Sequence, residues 1–171
     1  MKMRRWLSTV RAAGQLYTWG DGVHTKLGRK EHLHVYKPEL VQSVSATEVL
    51  TGPRHTLVMT AEQGLVGFGD NEFGQVGNGK TETALLPEPV QGLGNVKAAA
   101  CGLHYSLAVT NTGELYEWGY PGRNVNLFSR LFGRSVSVDK RHPVPEKVAV
   151  LQGVSEVAAG ELHFLAVTGE G

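Results

Sequence analysis

Short runs of alternating side chains, closed by glycine, recur along this chain. Leu16, Thr18 and Gly20 alternate with Tyr17 and Trp19, and Leu115, Glu117 and Gly119 alternate with Tyr116 and Trp118. A period of two puts successive side chains on opposite faces of a strand. Few segments combine a helical apolar stripe with capping residues, so the pattern predicts an all-β chain.

The pattern also repeats at long range. Trp19-Gly20, Phe68-Gly69 and Trp118-Gly119 stand 49 and 50 residues apart. Thr60, Thr110 and Thr168 close matching runs that open at Gly52, Gly102 and Gly160. Pro38, Pro87 and Pro145 are each followed three residues later by Val41, Val90 or Val148. The unit therefore reads as a strand ending in aromatic-Gly, a Gly-rich turn, a polar stretch and a Pro-Glu-x-Val strand. A Val-rich strand and an apolar strand complete it. Three units span 14–62, 63–112 and 113–168, and Gly169-Glu170-Gly171 reads as the opening of a fourth. About 50 residues with room for four short strands suit a propeller blade better than a helical solenoid. The expected architecture is about three four-stranded blades in an arc, with Trp19, Phe68 and Trp118 in equivalent buried positions between sheets.

Composition narrows the class. With 171 residues, 41% hydrophobic and 19% charged, the chain can bury a core and is not disordered throughout. No apolar run approaches the roughly 18–20 residues of a membrane-spanning helix. A single cysteine, Cys101, excludes a disulfide framework and a multi-cysteine zinc site. The 22 glycines outnumber 7 prolines and lie between apolar runs, as tight turns between strands require. The net charge of +1 hides two basic islands. Residues 1–13 carry Lys2, Arg4, Arg5 and Arg11 with no acid, and 120–145 carry five cations against Asp139 alone. The rest is acidic, which disfavours a nucleic-acid partner.

Asp70-Asn71-Glu72-Phe73-Gly74-Gln75-Val76-Gly77, preceded by Gly67-Phe68-Gly69, resembles the signature of the regulator of chromosome condensation repeat. Gly52-Pro53-Arg54-His55-Thr56-Leu57 and Gly160-Glu161-Leu162-His163 resemble that family's Gly-x-x-His-Ser-Leu turn. The resemblance covers about residues 14–171 and implies a seven-bladed propeller, of which three units form an incomplete ring. The departures are Thr25 where the second unit has Gly74, Tyr105 in the His slot beside His104, and Phe164 in the Ser slot.

Candidate chemistry is thin. His55, His104 and His163, with Thr56 and Ser106 beside them, have the residue types of a Ser-His hydrolase. Copies of one turn a blade apart are expected not to converge, so these histidines read as braces of the turn. His32 and His34 share a strand face near His24, but two imidazoles without a cysteine or convergent carboxylate make a poor metal site. Cys101 follows three alanines and reads as a buried, inert thiol. Gly79-Lys80-Thr81 has the letters of a phosphate loop, yet proline-bearing Leu86-Pro87-Glu88-Pro89 follows it in place of a helix. No catalytic residue and no cofactor are expected.

The informative residues break the repeat. Gly20 to Pro38 and Gly69 to Pro87 are both 18 apart, whereas Gly119 to Pro145 is 26. This insertion carries Arg123, Phe128, Arg130, Phe132, Arg134, Lys140 and Arg141, the candidate partner-binding set. Arginine among aromatics is a common composition at interface anchors, and a solvated loop is the alternative. At the N-terminus Met3, Trp6, Leu7 and Val10 share one helical face among the four cations, the character of a mitochondrial transit peptide. A plain basic tail, on a cytoplasmic or nuclear protein, is the other reading. The function expected is a non-enzymatic scaffold that binds a protein partner through a loop face. The family resemblance implies a second possibility, nucleotide exchange on a small GTPase. Blade ends with apolar faces are expected to be covered, by oligomerisation, by another subunit or by more of the same chain.

Overall fold

The structure, a computed structural model, describes residues 13–30, 34–120 and 141–169. The described residues form eleven strands and a one-turn 3-10 helix, Val23–Thr25. In chain order the strands are β1 (Gly14–Asp21), β2 (His34–Thr51), β3 (His55–Thr60), β4 (Leu65–Gly69), β5 (Ala84–Pro89) and β6 (Val96–Cys101). Then follow β7 (Tyr105–Thr110), β8 (Leu115–Gly119), β9 (His142–Lys147), β10 (Val154–Ala159) and β11 (Phe164–Thr168). All pairings are antiparallel.

The all-β, propeller-type architecture is as expected, but the sheets are offset from the sequence unit by half a repeat. The apolar strand that ends one unit pairs with the aromatic-Gly strand that opens the next: β3 with β4 and β7 with β8. The first complete blade therefore runs from the second half of β2 to β5, and the second comprises β6–β9. The long β2 belongs to two blades. Its first half pairs with β1, its second half with β3, and it bends at Ser43, where φ is +66°. A half-blade of β1 with early β2 thus precedes the complete ones, and a half-blade of β10 with β11 follows them.

The proline of each unit falls in β2, β5 or β9, beside a single partner strand at that point. An edge strand tolerates a residue without an N–H, because that side of it needs no ladder bond.

Period-two alternation persists, but both faces of an inner strand are covered. Leu57 and Met59 of β3 pack with Ala108 and Trp118 toward the second blade. Val58 between them packs with Leu16 and Phe68 toward the preceding half-blade. Phe68 and Trp118 are fully buried at matching positions, yet Trp19 is 59% exposed. That corrects the expectation for the first unit. An aromatic on this strand is buried by the preceding blade, and the described residues include no blade ahead of β1.

Glycine makes the aromatic seat. A Cβ at Gly77 would lie 2.6 Å from Trp118 Nε1, and one at Gly28 would lie 3.1 Å from the Phe68 ring. Each aromatic therefore rests on a glycine of the preceding unit's turn, where a side chain would displace it. The Gly79-Lys80-Thr81 stretch leads into strand β5, and Lys80 Nζ pairs with Glu88 at 2.7 Å, so it forms no phosphate loop.

Candidate partner-binding rim

The turns at one end of the blades stitch neighbouring sheets together. Thr56 Oγ1 donates to the Lys26 carbonyl at 3.0 Å. One unit later, Ser106 Oγ donates to the Gln75 carbonyl at 2.7 Å, and Trp118 Nε1 donates to the same oxygen at 2.9 Å. His55 Nε2 lies 2.7 Å from Ser106 Oγ. Adjacent copies of the turn do converge, contrary to the sequence-based expectation, because the ring brings each turn against the next.

This His–Ser contact is a brace. Both residues are fully buried. The serine hydrogen is committed to the Gln75 carbonyl, so His55 must carry its proton on Nε2 and donate to the serine oxygen. Burial pushes the His55 imidazole down to about 4, the nearby Asp70 only partly opposing it, so the ring is neutral near pH 7.

His104 does not brace. Tyr105 fills that slot, and its hydroxyl donates to the Gly160 and His163 carbonyls of the next turn. A Cβ at Gly102 would sit only 2.1 Å from the tyrosine ring, so glycine is required beneath it. His163 is exposed, its ring lies over Gly160 of the same turn, and its carbonyl accepts from Tyr105. Cys101 is buried, its thiol pushed up to about 12 by burial, and Sγ donates to the Leu50 carbonyl at 3.4 Å. His24 and His34 are exposed, His32 lies outside the described residues, and no metal-binding cluster exists among those described.

At the seam between the two complete blades the rim carries a stacked aromatic seat. Phe73, from the turn after β4, lies 4.6 Å from the His104 ring and stacks on Tyr120 at 5.3 Å. The Arg141 guanidinium lies over the same ring, 5.9 Å from its centroid, within range of a cation–π contact. The Tyr120 N–H donates to the His104 carbonyl at 2.7 Å, as Asp70 N–H does to Arg54 at 3.0 Å, so each blade fixes its part of the seat through its own backbone. A Cβ at Gly74 would come within 2.5 Å of Pro143, which holds the Phe73 turn against the second blade. Burial first, then the Arg54 charge, lowers the His104 pKa, so the seat holds a neutral ring beside a cation. Arg54 is itself paired with Asp70 at 3.2 Å.

Of the expected partner-binding residues, Arg123, Phe128, Arg130, Phe132, Arg134 and Lys140 lie outside the described residues. Arg141 is exposed and joins the seat. Phe73, His104 and Tyr120 were not expected in it. Their signal lay in the places where the copies differ: Phe73 stands where the first unit has His24, His104 is one place ahead of its slot, and Tyr120 opens the insertion.

Comparison with known proteins agrees with this geometry. The chain is 33% identical over 173 residues to the human E3 ubiquitin-protein ligase HERC2, covering 96% of this chain and 3% of that protein. It is 32% identical over 166 residues to the ultraviolet-B receptor UVR8 of Arabidopsis thaliana, covering 94% of this chain and 36% of the receptor. The chain thus spans a small fraction of the ligase and little more than a third of the receptor. Among solved structures, Prp20p of Saccharomyces cerevisiae, described with its binding to Gsp1p and histones, superposes with a TM-score of 0.73 at 26% identity. That superposition covers 92% of this chain and 40% of Prp20p. The model of the regulator of chromosome condensation (RCC1) repeat matches residues 13–59 and 64–109, and with the braced turns and glycine-seated aromatics it places this chain in the RCC1 repeat family.

Proposed function

We propose that the chain is a non-enzymatic interaction module that holds a protein partner on its loop rim, at the Phe73–His104–Tyr120–Arg141 seat. One observation carries this reading. Tyr120 and Arg141 stand at the two ends of the insertion, and both converge on Phe73 of the neighbouring blade. The insertion, with Arg123, Arg130, Arg134 and Lys140, therefore springs from a seat that is aromatic and cationic. A segment bearing carboxylates beside an apolar anchor fits that chemistry, the cations steering its approach and the rings supplying contact area. Prp20p, described with its binding to Gsp1p and histones, is a fold relative whose protein partners support this reading.

The test compares proteins retained by the wild-type chain with those retained by an Arg141→Glu, Phe73→Ala double variant. A genuine partner should bind the variant at least tenfold more weakly, about 1.4 kcal/mol or more. Unchanged retention of every partner would remove the seat from the interface. Nucleotide exchange on a small GTPase, the second reading implied by the family, is separated by release of a fluorescent GDP from a loaded GTPase. Release accelerated by the chain would replace the scaffold reading.

Residues 1–12 lie outside the described residues. We propose that this basic, acid-free segment directs the chain to mitochondria, on the strength of its single apolar helical face. Fusion of residues 1–20 to a fluorescent reporter should carry the reporter there. A diffuse cytosolic or nuclear reporter would count against it.

A further inference from the structure

Strand β3 leaves the rim at His55 and reaches the opposite end of its blade at Thr60. At that far end a groove of about 360 Å³ opens where the first half-blade meets the first complete blade. Three pieces of chain border it: the bend of β2 at 43–45, the β3–β4 turn at 60–65, and the end of β5 with the loop behind it, 89–93. Val44, Val66 and Leu93 supply apolar lining, and the exposed Ser43 and Ser45 offer hydroxyls at its lip. Glu62 is exposed on the same lining, and among the described residues it pairs with no cation.

The second complete blade shows the same place filled. Val66 of β4 faces Pro89 of β5, and one unit later Tyr116 of β8 faces Lys147 of β9. Tyr116 packs against the core of the seam between the two complete blades, as Leu93 does. Lys147 Nζ donates to the Glu114 carboxylate, and the Tyr116 hydroxyl lies 3.5 Å from that group. Here, then, the blade carries a ring and an ammonium, tied together by an acid on the hairpin turn. The first blade keeps the acid and lacks the other two. Valine and proline stand in place of the ring and the cation, Gly64 stands where Glu114 does, and Glu62 comes two residues earlier in the turn.

The groove is no unfinished edge of the ring. A strand completing the half-blade would join β1 on the side away from β2, and every residue lining the groove comes from β2 onward. The matching place in the second blade is filled by that blade's own Tyr116 and Lys147, with a complete blade in front of it.

We propose that the groove binds a segment of a partner protein in which an aromatic residue stands next to lysine or arginine. The ring enters beside Val44, Val66 and Leu93, and the cation pairs with Glu62. Such a segment supplies in trans what Tyr116 and Lys147 supply within the second blade. The volume is at the small end for a ligand site, enough for one ring and the stem of a neighbouring cation. Burial of the ring gives the affinity, and the exposed Glu62 pair acts chiefly on selectivity. The site is independent of the Phe73 seat, which lies at the other end of the blades.

The probe is the peptide acetyl-Gly-Lys-Tyr-Lys-Gly amide, titrated to millimolar concentration into isotope-labelled chain and followed by nuclear magnetic resonance. Amide signals of Gly64, Val66 and Leu93 should move saturably, while those of Phe73 and Tyr120 stay in place. A peptide with glutamate for both lysines should bind about tenfold more weakly or worse, and so should one with alanine for tyrosine. Val66→Tyr gives the first blade the residue of the second, and Glu62→Lys reverses an exposed charge. Each should weaken binding of the probe by a similar factor with an unchanged circular dichroism spectrum. The Arg141→Glu, Phe73→Ala variant should bind it as the wild type does. The proposal is overturned by the absence of saturable shifts at the groove or by shifts centred on the rim. Equal binding of either altered peptide, or undiminished binding by folded Glu62→Lys, overturns it as well.

Discussion

Replacing Trp118 with alanine is expected to cost about 3–5 kcal/mol of unfolding free energy, while Trp19→Ala costs well under 1 kcal/mol in dilute solution. The residues are the same and occupy the same place in the repeat, so the difference isolates the preceding blade. Trp118 is fully buried and bonded through Nε1 to the Gln75 carbonyl, whereas Trp19 is 59% exposed. Truncating Trp118 empties a seat walled by Leu57, Met59 and Leu65 and floored by Gly77, whose backbone has no side chain with which to fill the space. The Gln75 carbonyl keeps its bond from Ser106, so the loss is mainly one of packing. Trp118→Phe should recover much of it, because Phe68 fills the matching seat one blade earlier without an N–H. Urea unfolding of the three variants provides the comparison. Equal losses at positions 19 and 118 would mean that blade-to-blade packing contributes nothing particular to this fold.

The same pair shows what the sequence discloses and what it withholds. A spacing of 49 and 50 residues revealed the repeat, the strand order within it and the equivalence of Trp19, Phe68 and Trp118. It could not reveal burial, which depends on a neighbouring blade rather than on the residue's own strand. Nor could it give the phase of the sheets. The unit was legible as strands, but β3 pairs with β4 of the next unit, and hydrogen bonds of that kind leave no mark in the period. Glycine at 28 and 77 was readable as turn punctuation, while its service as floor for Phe68 and Trp118 needed coordinates.

At the rim, the turn histidine was legible as a brace and its partner was not. Ser106 is 51 residues from His55 in the chain and 2.7 Å from it in space. The Phe73–His104–Tyr120 seat was least legible of all. It is assembled from positions where the copies diverge, so a repeat pattern passes over them. Arg141 was the exception, marked by the charge and length of the insertion.

Acid should unfold this chain through His55 well before its carboxylates are titrated away. The folded ring has its Nε2 proton on Ser106, and its buried Nδ1 has no partner among the described residues. Protonation would place an unpaired N–H and a positive charge there, which is why burial lowers the folded value from 6.5 to about 4. In the unfolded chain the ring takes up its proton near 6.5. Between these values the unfolded state binds a proton that the folded state refuses, so stability falls as pH falls, and His55 contributes a loss of about 3 kcal/mol by pH 4. His104, also lowered by burial, acts in the same direction, while Glu117, raised by burial, opposes it. Both remain in a His55→Gln variant, whose amide can still donate to Ser106 but cannot be protonated. Subtracting the variant's unfolding free energy from that of the wild type, across pH 7 to 4, therefore leaves the His55 contribution alone. The difference should be flat near pH 7 and slope steeply below 6.5. Parallel curves, or the His55 imidazole itself titrating near 6.5 in the folded protein by nuclear magnetic resonance, would show that the brace is open to water.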